Sequence, residues 1–143
     1  MQESLIKDFG INKPRIAVLA LNPHAGEAGR MGLEEEVFIK PVIKNFHSNN
    51  IDGPFVPDAF FATKLYVNYD AVVGMYHDQI LIPFKMLSFN KGVNFTAGLP
   101  IVRTSPDHGT AFDIAWKNQA SPDSLIEAFK LADKITDARR KTK

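Results

Sequence analysis

The stretch RIAVLAL, residues 15–21, decides the fold. It is a short β-prone run, bounded on one side by Pro14 and on the other by the turn-like NPHAGEAG of residues 22–29. Such a run between proline and glycine punctuation reads as a central strand. Working outward, GLEEEVFIKPVIKNF places acidic residues in a first helical turn and Val37, Phe38, Val42, Ile43 and Phe46 at helical spacing, with Pro41 expected to kink the helix. Residues 51–57 carry glycine and proline and suit a short extended segment, after which PDAFFATKL suits a helix with Pro57 at its start. AVVGMY is a second strand, and residues 79–87 predict a helix with Pro83 inside it. GVNFTAG and PIVRTS read as extended, and a last helix begins near Ser121, where SPDS supplies an N-cap and a proline at the first helical position. Strands alternating with helices predict an α/β fold in a single domain, residues 1–143. There is no internal repeat, low-complexity tract or linker.

The composition narrows the function classes. A chain of 143 residues is long enough to bury roughly 70% of the surface that its unfolded form exposes. With 17 basic and 16 acidic residues, no excess charge points to nucleic acid, and the basic tail of residues 139–143 reads as a solvated end. Small molecules or proteins are the expected partners. The chain has no cysteine, so there is no disulfide framework, thiolate nucleophile or thiolate metal ligand, and any metal must use His, Asp or Glu. MQESLIKDFG lacks the apolar core of a signal peptide, and no apolar run nears the roughly 20 residues that span a bilayer. A soluble cytoplasmic protein without membrane association is the expectation.

Polar residues collect where the predicted strands end, the usual place for ligands in an open α/β sheet. After RIAVLAL, the loop NPHAGEAG presents His24 and Glu27; the alternative is a turn with an exposed histidine. YDAVVGMYHDQ, residues 69–79, runs from a buried strand into Tyr76, His77, Asp78 and Gln79. Imidazole is a common metal ligand, and a neighbouring carboxylate can fix its tautomer or join the coordination shell; the alternative is a capping histidine. SPDHGTAFDIA carries Asp107, His108 and Asp113, which could equally cap a helix. His47, in HSNN, reads as a surface residue. Lys85, Asn94 and Arg103 supply a point charge, a neutral donor and a planar fork, which together would suit an anionic substrate.

NPHAGE, YDAVVGMYHDQ and VNFTAGLPIVRTSPDHGTAFDIA, in that order and spacing, closely resemble the 4-hydroxythreonine-4-phosphate dehydrogenase family of pyridoxal 5′-phosphate biosynthesis. The resemblance covers nearly the whole chain but only about the C-terminal half of that family's chain. It implies an α/β fold like that of the isocitrate and isopropylmalate dehydrogenases, working as a homodimer with its active site at the subunit interface. It also implies NAD-dependent oxidation of 4-phosphohydroxy-L-threonine, a small phosphorylated hydroxy acid, followed by decarboxylation. By position in these motifs, His24 and His77 look like two of three divalent-metal ligands, and Lys85, Asn94 and Arg103 fall on substrate-binding positions. His108 and Asp113 look like nucleotide-binding residues, the acidic Asp113 favouring NAD over NADP. Asp78 is a candidate metal-shell or proton-relay group. Histidine ligands lean toward zinc, with magnesium, manganese and cobalt as alternatives.

The chain departs from the family at several places. The third metal histidine and a His-Thr pair that contacts substrate belong to the N-terminal half, which is missing here. Ala28, Ala62, Ile80 and Trp116 stand where the family usually has glycine, which lets backbone approach a ligand closely. Ile80 is expected to crowd the metal pocket and Trp116 the nucleotide loop. Three readings follow: part of a working dehydrogenase that uses a homodimer or a separate N-terminal half, a non-catalytic remnant keeping the fold and a dimer surface, or a paralogue acting on threonate or erythronate 4-phosphate. Loss of the other half is expected to leave strand edges and apolar surface that drive self-association.

Overall fold

The computed structural model describes residues 1–46, 50–88 and 91–141, and RIAVLAL lies at the centre of its larger sheet. In chain order the elements are α1 (Gln2–Lys7), β1 (Ile16–Leu19), α2 (Lys40–Asn45), β2 (Ile51–Phe55), α3 (Pro57–Ala62), β3 (Ala71–Val73), α4 (His77–Ser88), β4 (Val93–Phe95), β5 (Thr104–Pro106) and α5 (Asp123–Lys141). The fold is mixed α/β. It divides into two compact units, Lys13–Pro83 and a second made of Met1–Asn12 with Phe84–Lys143. The division falls inside α4 at Pro83, whose ring removes a backbone donor from the helix.

In the first unit β1 pairs in parallel with β2 on one side and β3 on the other. Apolar residues occupy the whole of β1 because both of its faces are covered, as parallel strands require. Ala17 and Leu19 are fully buried and pack with Phe60 of α3, around which Phe55, Phe61, Tyr66, Tyr69 and Ile80 gather. The Phe60 ring lies 5.2 Å from Phe55, 5.3 Å from Phe61 and 5.9 Å from Tyr69, distances at which tilted and edge-on aromatic pairs attract. At the other end of the sheet Arg15 donates its backbone N–H to Asp70 at 2.8 Å and sets its guanidinium 4.8 Å from the Tyr69 ring, a cation–π contact.

The second unit is built differently. Strands β4 and β5 form an antiparallel ribbon, and the Thr104 hydroxyl donates to the carbonyl of Ala128 in α5 at 2.9 Å. The buried Ser124 hydroxyl donates to the Gly92 carbonyl at 2.7 Å and accepts from the Asp107 amide at 3.1 Å. Asp8, 2% exposed just after α1, takes a two-pronged grip from Arg139 of α5 at 2.7 and 3.1 Å. Arg139 also donates to the Leu99 carbonyl at 3.0 Å. That guanidinium holds the Asp8 carboxyl below its ordinary value by hydrogen bonding, against the opposing effect of burial.

Several sequence expectations need correction. The strand expected over AVVGMY ends at Val73, and the helix expected from Gln79 starts at His77. His77 therefore opens a helix and does not close a strand. The helix expected from residue 32 to 46 is a π-helical turn, Glu35–Ile39, followed by α2 with Pro41 in its first turn. Proline lacks the N–H of an α-helical ladder, and a π turn is one way to absorb that break. The apolar side chains Val37, Phe38, Val42 and Phe46 are exposed on this segment, where the spacing predicted a buried face. A 3-10 turn at Phe112–Ile114 and helix α1 have no counterpart among the sequence expectations. His47 lies outside the described residues. Among those described, no helix is long and apolar enough to cross a membrane.

Candidate functional site

The loop after β1 carries the most unusual backbone in the molecule. From His24 to Ala28 the φ angles are 53°, 52°, 78°, 44° and 54°, all left-handed. For a residue other than glycine this conformation costs on the order of 1–2 kcal/mol, and His24, Ala25, Glu27 and Ala28 all adopt it. Such a loop persists only if its surroundings hold it. Asn22 supplies the anchor. Its amide donates to Glu35 Oε1 at 2.7 Å, and its side-chain nitrogen donates to Glu35 Oε2 at 2.9 Å and to Glu34 Oε2 at 2.7 Å. Burial alone would push the Glu35 carboxyl up, but the hydrogen bonds from Asn22 and nearby backbone amides carry it below its ordinary value.

Gln79 fixes the neighbouring strand end. Its side-chain nitrogen donates to the Ala20 carbonyl at 2.9 Å, and its oxygen accepts from the Met75 amide at 2.8 Å. One side chain thus ties the exit of β1 to the exit of β3. Between these exits lies a cleft of about 430 Å³ whose lining includes Asn22, His24, Asp58, Tyr76 and Gln79. Sequence reading passed over Glu35 and Asp58, and placed Asn22 in a turn and Gln79 in a polar cluster without giving either its anchoring role. The available signal was the glutamine three residues beyond Tyr76, which can reach back over a helix start.

Both histidines expected to share a metal are exposed; His24 lines this cleft, whereas His77, the first residue of α4 beside exposed Asp78, does not. Asp78 lies in the first turn, where a carboxylate complements the helix dipole. Among the described residues no group of three or more His, Cys, Asp or Glu side chains is placed to hold a metal ion. A catalytic metal needs about three protein ligands, so the donors among the described residues do not fit a complete centre by themselves.

The second unit has a cleft of about 390 Å³, lined among others by Lys85, Asp107, His108, Ser121 and Ser124. It brings Lys85 together with His108. The Lys85 ammonium lies 2.7 Å from Asp107 Oδ2, so an incoming anion would have to share or displace that carboxylate. Asn94 and Arg103 are exposed and do not line the cleft; Arg103 donates to the Thr96 hydroxyl at 2.8 Å. Nδ1 of His108 lies 3.0 Å from the Gly109 carbonyl, and Asp113 is exposed in the 3-10 turn.

The bulky replacements behave unequally. Ile80 does not line the His24 cleft; it packs on the core, and a Cβ added to Gly74 would meet its side chain at 2.3 Å. The expected crowding is therefore absent from that cleft. Trp116 has φ 64° and a fully exposed side chain, and Ala28 has φ 54°. Both keep a glycine-like backbone without glycine's freedom.

The profile of the family described as "Pyridoxal phosphate biosynthetic protein PdxA" matches residues 1–132. The chain is 56% identical over 136 residues to a 4-hydroxythreonine-4-phosphate dehydrogenase of Prosthecochloris aestuarii, covering 94% of this chain and 40% of the relative. It is 56% identical over 140 residues to one of Caulobacter vibrioides, covering 96% and 42%. A crystal structure of the Klebsiella pneumoniae 4-hydroxythreonine-4-phosphate dehydrogenase superposes with a TM-score of 0.72 at 44% identity, covering 96% of this chain and 42% of that one. A terephthalate 1,2-cis-dihydrodiol dehydrogenase of Burkholderia xenovorans is more distant, with a TM-score of 0.67 at 29% identity over 92% and 42% of the two chains. The chain spans about 40% of the length of the curated relatives it matches. On the profile match and these identities, it belongs to the pyridoxal phosphate biosynthetic protein PdxA family.

Proposed function

We propose that this chain supplies the C-terminal part of a 4-hydroxythreonine-4-phosphate dehydrogenase, on an isocitrate dehydrogenase-like α/β framework, and acts in the cytoplasm. It would pair as a homodimer and be active when a separate N-terminal half supplies the rest of the family's machinery. The observation that carries the reading is the 56% identity to curated relatives of that name across almost the whole chain. The reaction is oxidation of the secondary alcohol of 4-phosphohydroxy-L-threonine with NAD as hydride acceptor, followed by loss of carbon dioxide from the β-keto acid. Lys85, Asn94 and Arg103 would bind the substrate's anionic and polar groups. His108 would lie against the nucleotide, and Asp113 would accept from a ribose hydroxyl and repel the extra phosphate of NADP. His24 and His77 would each give an imidazole to a divalent metal, zinc before magnesium, manganese or cobalt, completed by a ligand from outside this chain; Asp78 would serve as a nearby proton acceptor.

A second reading for the chain on its own is a non-catalytic module that keeps the fold and a dimer surface. A third reading stays within the same enzyme class, a paralogue acting on threonate or erythronate 4-phosphate. The test is NAD reduction with 4-phosphohydroxy-L-threonine and added divalent metal, with and without a supplied N-terminal half. No turnover alone and turnover on mixing is the expected result. If the mixture neither turns over nor binds substrate, the dehydrogenase reading fails.

A further inference from the structure

We infer that Glu35 is the positioning residue of the His24 loop, holding it in its left-handed conformation through Asn22. Glu35 has no accessible surface, yet it is a carboxylate in the opening turn of a surface segment whose following residues Glu36, Val37 and Phe38 are exposed. A charge in that position is costly unless hydrogen bonds replace its water. Both of its oxygens are used, one by the Asn22 amide and one by the Asn22 side chain. The second Asn22 side-chain bond goes to Glu34, so Asn22 is held on three sides two residues before His24.

The surrounding glycines show how closely the parts fit. A Cβ on Gly26, in the middle of the left-handed run, would stand 2.8 Å from Glu35 Oε2 and 2.8 Å from the Gly32 carbonyl. A Cβ on Gly32 would stand 2.4 Å from the Asn22 side-chain nitrogen and 2.5 Å from Glu34 Oε2. The loop closes over the carboxylate with the Met31 amide donating to the Gly26 carbonyl at 3.1 Å. Removing the Glu35 acceptors takes the partner from the part-buried Asn22 backbone amide, leaves the Asn22 side chain held by Glu34 alone and removes the surface on which Gly26 rests. The loop is then free to return to ordinary backbone, which carries His24 out of its place in the cleft.

The functional importance of the loop rests on the reading of His24 above; the test reads the loop itself and needs no turnover. Glu35→Gln, which keeps one acceptor oxygen and the side-chain volume, and Glu35→Ala are compared with the unaltered chain by amide hydrogen exchange and by the His24 imidazole resonances in NMR spectra. Glu35→Gln is expected to speed exchange of the Asn22 and Met31 amides at least 10-fold and to move the His24 imidazole shifts toward those of free histidine. Glu35→Ala should do both more strongly, while the β1 amides change by less than 3-fold. Unchanged His24 resonances and loop exchange would overturn the inference. So would a uniform loss of protection through the parallel sheet in Glu35→Gln, because Glu35 would then be a general stability residue. Absence of catalysis by the unaltered chain mixed with an N-terminal half, with these shifts present in the variants, would count against the proposed function and leave the role of Glu35 standing.

Discussion

The two units hold their candidate residues by different means. In Lys13–Pro83 a buried parallel sheet points its strand exits at one cleft, and polar side chains from elsewhere, Glu35 and Gln79, fasten the loops that leave those exits. In the other unit a two-stranded ribbon rests on α5, and the buried polar contacts, Asp8 with Arg139 and Ser124 with Gly92, do not involve exposed Asn94, Arg103 or Asp113. His24, although exposed, therefore sits on a loop fastened through Asn22, whereas exposed Asn94 sits on the ribbon and exposed Asp113 in a short 3-10 turn. A fixed geometry suits residues that must meet a reacting atom, and exposed residues can adapt to a bound ligand.

This contrast can be broken most severely at Phe60. Phe60→Ala should destabilise the parallel-sheet unit by roughly 3–5 kcal/mol, through lost burial and a cavity beneath the ring cluster, as measured by denaturant unfolding with exchange of the β1 amides. In the other unit Arg139→Ala leaves Asp8 buried without its partner and should cost about 3 kcal/mol. Exchange in α1 and α5 is the readout there. Gln79→Ala unpairs the Met75 amide and the Ala20 carbonyl and should cost roughly 1–3 kcal/mol; a smaller change would mean that water replaces the bridge.

Acid sharpens the comparison in another way. Because Arg139 depresses the folded-state pKa of Asp8, the stabilisation is present above the ordinary carboxylate value of about 3.9 and is lost as pH falls through the depressed folded value. Asp8→Asn should therefore flatten the loss of stability below about pH 4. The smallest effect is expected at the left-handed positions. Ala28→Gly should raise stability by about 0.5–1 kcal/mol, the relief of left-handed strain outweighing the greater freedom of glycine in the unfolded chain; a loss would mean that the Ala28 methyl packs usefully.

The central strand was legible because apolar residues between proline and glycine leave few alternatives, and the same clarity extended to β2, α3 and the start of α5 near Ser121. The end of β3 was not, because Gly74, Met75 and Tyr76 continue its apolar character after its pairing has stopped. Helix α4 starts without Ser, Thr, Asp or Asn at Tyr76, and Gln79 satisfies the Met75 amide instead. The glycines marked a turn after β1 but not a run of five left-handed residues, since alanine and glutamate ordinarily avoid that conformation. What imposes it is Glu35, 13 positions after Asn22, and nothing in a sequence period marks such a pair. The Lys85–Asp107 pair, 22 positions apart, was hidden for the same reason. The motif histidines were legible as residues, but the cleft admits His24 to its lining and omits His77.

The most direct test of the account compares His24→Ala with His108→Ala in the NAD-reduction assay reconstituted with an N-terminal half. The account predicts that His24→Ala lowers kcat by roughly 100-fold or more, as loss of a group acting at the reacting centre does, with KM for NAD unchanged. It predicts that His108→Ala chiefly raises KM for NAD. A His24→Ala chain that keeps its kcat in that mixture contradicts the account.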